Sequence, residues 1–167
     1  MNIIGPDSLI FGVDDVAACE QCLLDYGLSA AGDGVFEALD GTSIVVRARD
    51  DASLPPPLET ATMLRKTLYG VADEATIDQI EAELSKDREV TRLPDGSIQS
   101  VDDHGFVIGF QVTTRRALSM TGESVNSPGA PVQRPENVIG CDPSMEAKPR
   151  TLSHVVLFVP DAEKGER

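Results

Sequence analysis

A short apolar strand, an aspartate and the start of a helix follow one another three times along this chain. That recurrence limits the folds open to it more than any other feature. The first strand is 8–13 (SLIFGV), then Asp14-Asp15, then VAACEQCLLDYG at 16–27. An aspartate ahead of a helical run accepts from the free N–H groups of the first turn, so Asp14 or Asp15 is the expected N-cap. Val16, Cys19, Leu23 and Tyr26 recur at helical spacing, and Gly27 is the expected stop. Strands are expected at 35–39 and 43–48, joined by the hairpin signal Asp40-Gly41, with a further strand near Leu28. The proline-rich LPPPL at 54–58 interrupts the pattern.

The order then returns. TMLRKTLYGV at 62–71 reads as a strand, and Asp73 caps EATIDQIEAELSKD, where Ile77, Ile80 and Leu84 form one apolar stripe. Strands at 89–93, 97–101 and 106–113 follow, separated by Pro94-Asp95-Gly96 and Asp103-His104-Gly105 turns. Neither unit can bury its sheet face alone, so the two should pack together. The expected class is α+β, with tandem βαβββ modules forming a curved mixed sheet and the helices outside, over residues 1–115.

From 116 to 150 no period survives. TGESVNSPGAPVQRPENVIGCDPSMEAKP is rich in Pro, Gly, Ser and Asn, as a connector would be. Residues 151–167 begin the pattern again, with a strand at 152–159 (LSHVVLFV), Pro160-Asp161 and a helix start. The expectation is a truncated second domain of which only this opening is present. The alternative is a strand that docks onto a partner subunit.

Tandem modules of this order resemble the vicinal oxygen chelate superfamily of glyoxalases, bleomycin-resistance proteins and extradiol ring-cleaving dioxygenases. The segment LSHVVLFVPD at 152–161 resembles the opening of the catalytic domain in two-domain extradiol dioxygenases. The resemblance implies that residues 1–115 are a non-catalytic pair of modules preceding a metal-bearing pair. It also implies an Fe(II) cofactor, with Mn(II) as the alternative. Two histidines and one carboxylate on one side of such a metal leave positions open for a vicinal diol and O2. His154 falls at the first ligand position of that triad, and the other two would lie beyond Arg167. Strand alternation puts His154 on one face with Leu152, Val156 and Phe158. A histidine held by an ordinary hydrogen bond is the competing reading of the same position.

An internal count tests the first two modules for ligands of their own. His154 stands seven residues before Asp161, and the same count from Asp14 and Asp73 gives Asp7 and Lys66. Neither is histidine, and FVIGFQV at 106–112 carries Gly109 where the family ligand glutamate would stand. His104 in VDDHGF could be drawn with Asp102 and Asp103 as a cluster, but Asp and Gly there are explained by a turn. Cys19-x-x-Cys22 lies about a turn inside its helix, on the apolar face with Val16 and Leu23, which suits packing better than redox chemistry.

The net charge of −14 repels phosphate backbones, so neither nucleic acid nor an anionic membrane surface is an expected partner. The start MNIIGPDSL has no basic segment followed by a long apolar run, so a cytoplasmic location is expected. Surfaces meant for a missing domain would be bared, and homo-oligomerisation is expected from that. The leading reading is therefore the N-terminal part of an extradiol dioxygenase acting with O2 on a catecholic ring, inactive by itself. The alternatives are a metal-free ligand-binding protein of the bleomycin-resistance kind and a glyoxalase-like protein.

Overall fold

The computed structural model describes residues 1–59, 62–119, 137 and 148–165, and three aspartates start the three helices among these described residues. Asp15 accepts from the Ala18 amide at 2.9 Å and caps α1 (Val16–Asp25). Asp73 accepts from the Thr76 amide at 2.8 Å and caps α2 (Glu74–Leu84). Asp161 accepts from the Lys164 amide at 3.2 Å ahead of the single turn α3 (Ala162–Gly165). These side chains satisfy donors that no helical carbonyl can reach. After α1 the chain passes through Gly27 at φ +98°, a conformation that ends the helix at little cost only in glycine. Tyr26 lies in that last turn and is 72% exposed, so it does not extend the apolar face.

Eight strands form one curved mixed sheet. They are β1 (Ile3–Val13), β2 (Ser29–Gly32), β3 (Val35–Glu37), β4 (Ser43–Ala48), β5 (Leu64–Val71), β6 (Val90–Arg92), β7 (Ile98–Val101) and β8 (Val107–Val112), in the spatial order β2-β3-β4-β1-β5-β8-β7-β6. Each module contributes four adjacent strands, and β1 and β5 meet antiparallel at the centre. β4 runs parallel to β1 and β8 parallel to β5, so the modules are arranged alike on the two sides of that seam. β1 begins earlier than its apolar run suggests, because Ile3–Pro6 pair with Tyr69–Val71 across one register shift.

Each helix covers its own module. Val13, Leu28, Phe36, Ala38 and Val46 form one core, with Val16, Cys19 and Leu23 of α1 packed on it. Val71, Ile77, Ile80, Ile98 and Phe110 form the other. Ile77 and Ile98 are 1% and 0% exposed, and burying each contributes about 1.5–3 kcal/mol. Strand alternation sends Ser8, Ile10, Ser43, Val45, Lys66, Leu68, Gln99 and Gly109 to the opposite, helix-free face.

The third recurrence departs from expectation. Residues 151–159 join no sheet ladder among the described residues, although the helix turn α3 does follow. Alternation persists without a ladder: Val155, Leu157 and Val159 are half-buried, whereas His154, Val156 and Phe158 are exposed. The connector expected at 116–150 falls largely on 120–136 and 138–147, outside the described residues, and Cys141 lies there with it.

Candidate functional site

His154 is exposed, and its Nδ1 lies 2.8 Å from the Ser153 hydroxyl. A proton on Nδ1 given to that hydroxyl leaves Nε2 with a lone pair turned away from Ser153. What fixes the segment is upstream of it. Leu39 and Asp40 donate their amides to the carbonyls of Pro149 and Arg150, both at 3.0 Å, and the Leu152 amide donates to Thr42 Oγ1 at 2.7 Å. The Thr42 hydroxyl in turn donates to Asp40 Oδ1 at 2.7 Å.

Asp161 shows that the count of seven residues starts from a capping aspartate in every module. In the first module the cap is Asp15 and not Asp14, which moves the matched position from Asp7 to Ser8. Ser8 receives a 2.9 Å hydrogen bond from Ser43 Oγ. In the second module Lys66 gives its ammonium to Gln99 Oε1 at 3.1 Å. Its stem lies over Gly109, where an added Cβ would stand 3.0 Å from Lys66 Cε and 2.9 Å from Leu68 Cδ1. The place of a carboxylate ligand is thus filled by an aliphatic stem. Burial lowers the Lys66 pKa, and the Asp95 charge only partly opposes it. A cation held here is a poor neighbour for a second one.

Asp7 has a different part. It is 3% exposed and accepts from Arg115 Nε at 3.0 Å, Thr113 Oγ1 at 3.1 Å and Gln111 Nε2 at 3.2 Å. Arg115 also donates to the Pro6 carbonyl at 2.7 Å and reaches to 3.5 Å from the Leu152 carbonyl. Asp7 therefore ties the first strand to the segment that leads to His154. Neither Arg115 nor Thr42 carries a local sequence signal for that part, since their partners lie far along the chain.

His104 sits in the turn that its neighbours predict. Asp102 Oδ1 accepts from the amides of His104 and Phe106 at 2.9 and 2.8 Å. Its ring does not face a metal cluster; Nε2 is 3.0 Å from the Asp161 carbonyl. Among the described residues no group of three or more His, Cys, Asp or Glu is placed to hold a metal ion. One imidazole with its hydroxyl neighbour does not make the triad. Cys19 is half-buried in the first core with its thiol pKa raised by burial and by the neighbouring Cys22 and Glu20, away from reactive thiolate character.

No family model matches the chain, and no curated protein does. Solved structures match it at the level of the backbone. A catechol 2,3-dioxygenase superposes with a TM-score of 0.50 at 15% identity, over 65% of this chain and 39% of that one. A Mn(II)-bound glyoxalase from Novosphingobium aromaticivorans superposes with a TM-score of 0.51 at 15% identity, over 79% of this chain and 46% of that one. At this identity the likeness is one of fold, shared with those two structures. The chain spans less than half the length of either structure. No helix among its described residues is long and apolar enough to cross a membrane.

Proposed function

We propose that this chain is the N-terminal part of a non-haem, metal-dependent extradiol dioxygenase that opens a catecholic ring with O2. In this reading residues 1–115 are a metal-free scaffold, 116–150 the connector, and 151–167 the opening of the catalytic pair of modules. His154 is the first metal ligand, Fe(II) or Mn(II) the metal, and the remaining two ligands follow Arg167. The carrying observation is the third capping aspartate, Asp161, which puts His154 in the position held by Ser8 and Lys66 in the first two modules. The fold shared with a catechol 2,3-dioxygenase supports it. The test is anaerobic addition of Fe(II) to the 167-residue chain, followed by catechol and O2. Weak, substoichiometric metal and no ring opening are expected; tight stoichiometric Fe(II) with turnover would overturn the division of ligands.

A glyoxalase-like parent is the second reading. The Mn(II)-bound glyoxalase aligns with a larger share of this chain than the dioxygenase does, 79% against 65%. Such a parent would isomerise a thiohemiacetal and leave catechols untouched, so assaying both substrates on the full-length gene product separates the two.

A further inference from the structure

The turn that holds residues 149–152 has a counterpart in the other module. Ala38 donates to the Thr42 carbonyl at 2.8 Å and Gly41 to the Ala38 carbonyl at 3.0 Å. In the second module Asp102 donates to the Phe106 carbonyl at 2.8 Å and Gly105 to the Asp102 carbonyl at 3.0 Å. Gly41 and Gly105 have φ of +87° and +88°. Both turns immediately precede the strand that runs parallel to their module's first strand, β4 in one case and β8 in the other. By this match Asp40 corresponds to His104 and Thr42 to Phe106.

Both turns grip the same segment, at opposite ends. The first takes Pro149, Arg150 and Leu152 through Leu39, Asp40 and Thr42, with Arg115 beneath. The second takes Asp161 through the His104 ring, and Gly165 packs there with its Cβ position 3.4 Å from His104 Nε2. Between them Leu157, Phe158 and Val159 line one small cavity with Leu58, His104 and Phe106. Asp40 also accepts from the Arg116 amide at 2.7 Å while donating to Arg150, so both ends of the connector return to one residue.

We propose that these equivalent turns form a two-point docking site whose occupant is the 149–165 segment of the same chain, with Thr42, Arg115 and His104 setting where His154 stands. The first modules then act as a mould for the segment that follows them. The inference concerns docking alone and holds whether or not His154 binds a metal. Two anchors on one tether reinforce each other, since either one keeps the other end at high effective concentration.

Residue-resolved NMR on the intact protein tests this. In the wild type the Leu152 amide should be protected and the heteronuclear NOE should stay high from 150 to 152 and from 161 to 165. Thr42→Val removes the acceptor for Leu152 and should speed its exchange by roughly 2–10-fold, the worth of one hydrogen bond. His104→Ala should loosen 158–165 and leave 149–152 in place. The double variant should loosen 152–165 while the amides of β1 keep their wild-type protection. A wild-type segment already as mobile as a free chain, or unchanged order in the double variant, would overturn the proposal. A protease site inserted within 120–136 gives a test without a core substitution. The cut halves should co-elute in gel filtration, and their separation would count equally against the docking site.

Discussion

The carboxylate of Asp7 occupies the space in which a side chain at Gly70 would begin. A Cβ built on Gly70 would stand 2.3 Å from Asp7 Oδ1 and 2.5 Å from Cγ. The two strands meet at the seam between the modules, so the absent side chain lets a buried carboxylate sit where both halves and Arg115 can reach it.

Gly70→Ala should therefore destabilise the protein by about 2–3 kcal/mol, through overpacking and not through backbone strain. Asp7 cannot swing aside without losing Arg115, Thr113 and Gln111. Urea denaturation measures this, and a loss below about 0.5 kcal/mol would mean that the carboxylate is free to move.

Lys66 gives a prediction in alkali. Burial depresses its folded-state pKa, so above that value the unfolded chain binds more protons than the folded one. Stability should then rise with pH up to the ordinary lysine value, about 10.4. Lys66→Met should lie within about 1 kcal/mol of wild type near neutrality, because an apolar stem replaces a poorly solvated cation. Its urea midpoint should lack the alkaline rise; an identical rise in the variant would assign it to another group.

Asp40 gives one in acid. Burial raises its pKa, but hydrogen bonds from Thr42 and Thr151 and the Arg115 charge outweigh that and leave it below the usual aspartate range. The stabilisation is complete above the unfolded value of about 3.9 and is lost as pH falls through the folded value. The difference in melting temperature between wild type and Asp40→Asn should be steady near neutrality and shrink below about pH 4. A difference that is constant through that range would show that the carboxylate is not what holds the turn.

The local rules were legible. Capping aspartates, the Asp40-Gly41 and Asp102–Gly105 turns and the apolar stripe of α2 all follow from residues within a few positions of one another. The antiparallel meeting of β1 and β5 was not, because nothing near Gly5-Pro6-Asp7 announces a partner at Tyr69. The choice between Asp14 and Asp15 as cap shifted one matched position from Asp7 to Ser8, and only the hydrogen bond to Ala18 decides it. Residues 152–159 carry strand composition, but a ladder needs a free edge beside them and the described residues offer none there. His104 reads locally as a turn residue and is one; its bond to Asp161, 57 residues on, has no sequence signature. The equal spacing of Gly41 and Gly105 from their following strands was the available hint.

In the proposed function His154 supplies one third of a metal site whose other donors lie beyond the first two modules. Mn(II) EPR titration of the full-length gene product, compared with its His154→Ala variant, is the measurement. Stoichiometric binding in the wild type that is lost in His154→Ala is the predicted result. Binding unaltered by His154→Ala, or none at all in the full-length wild type, would contradict it.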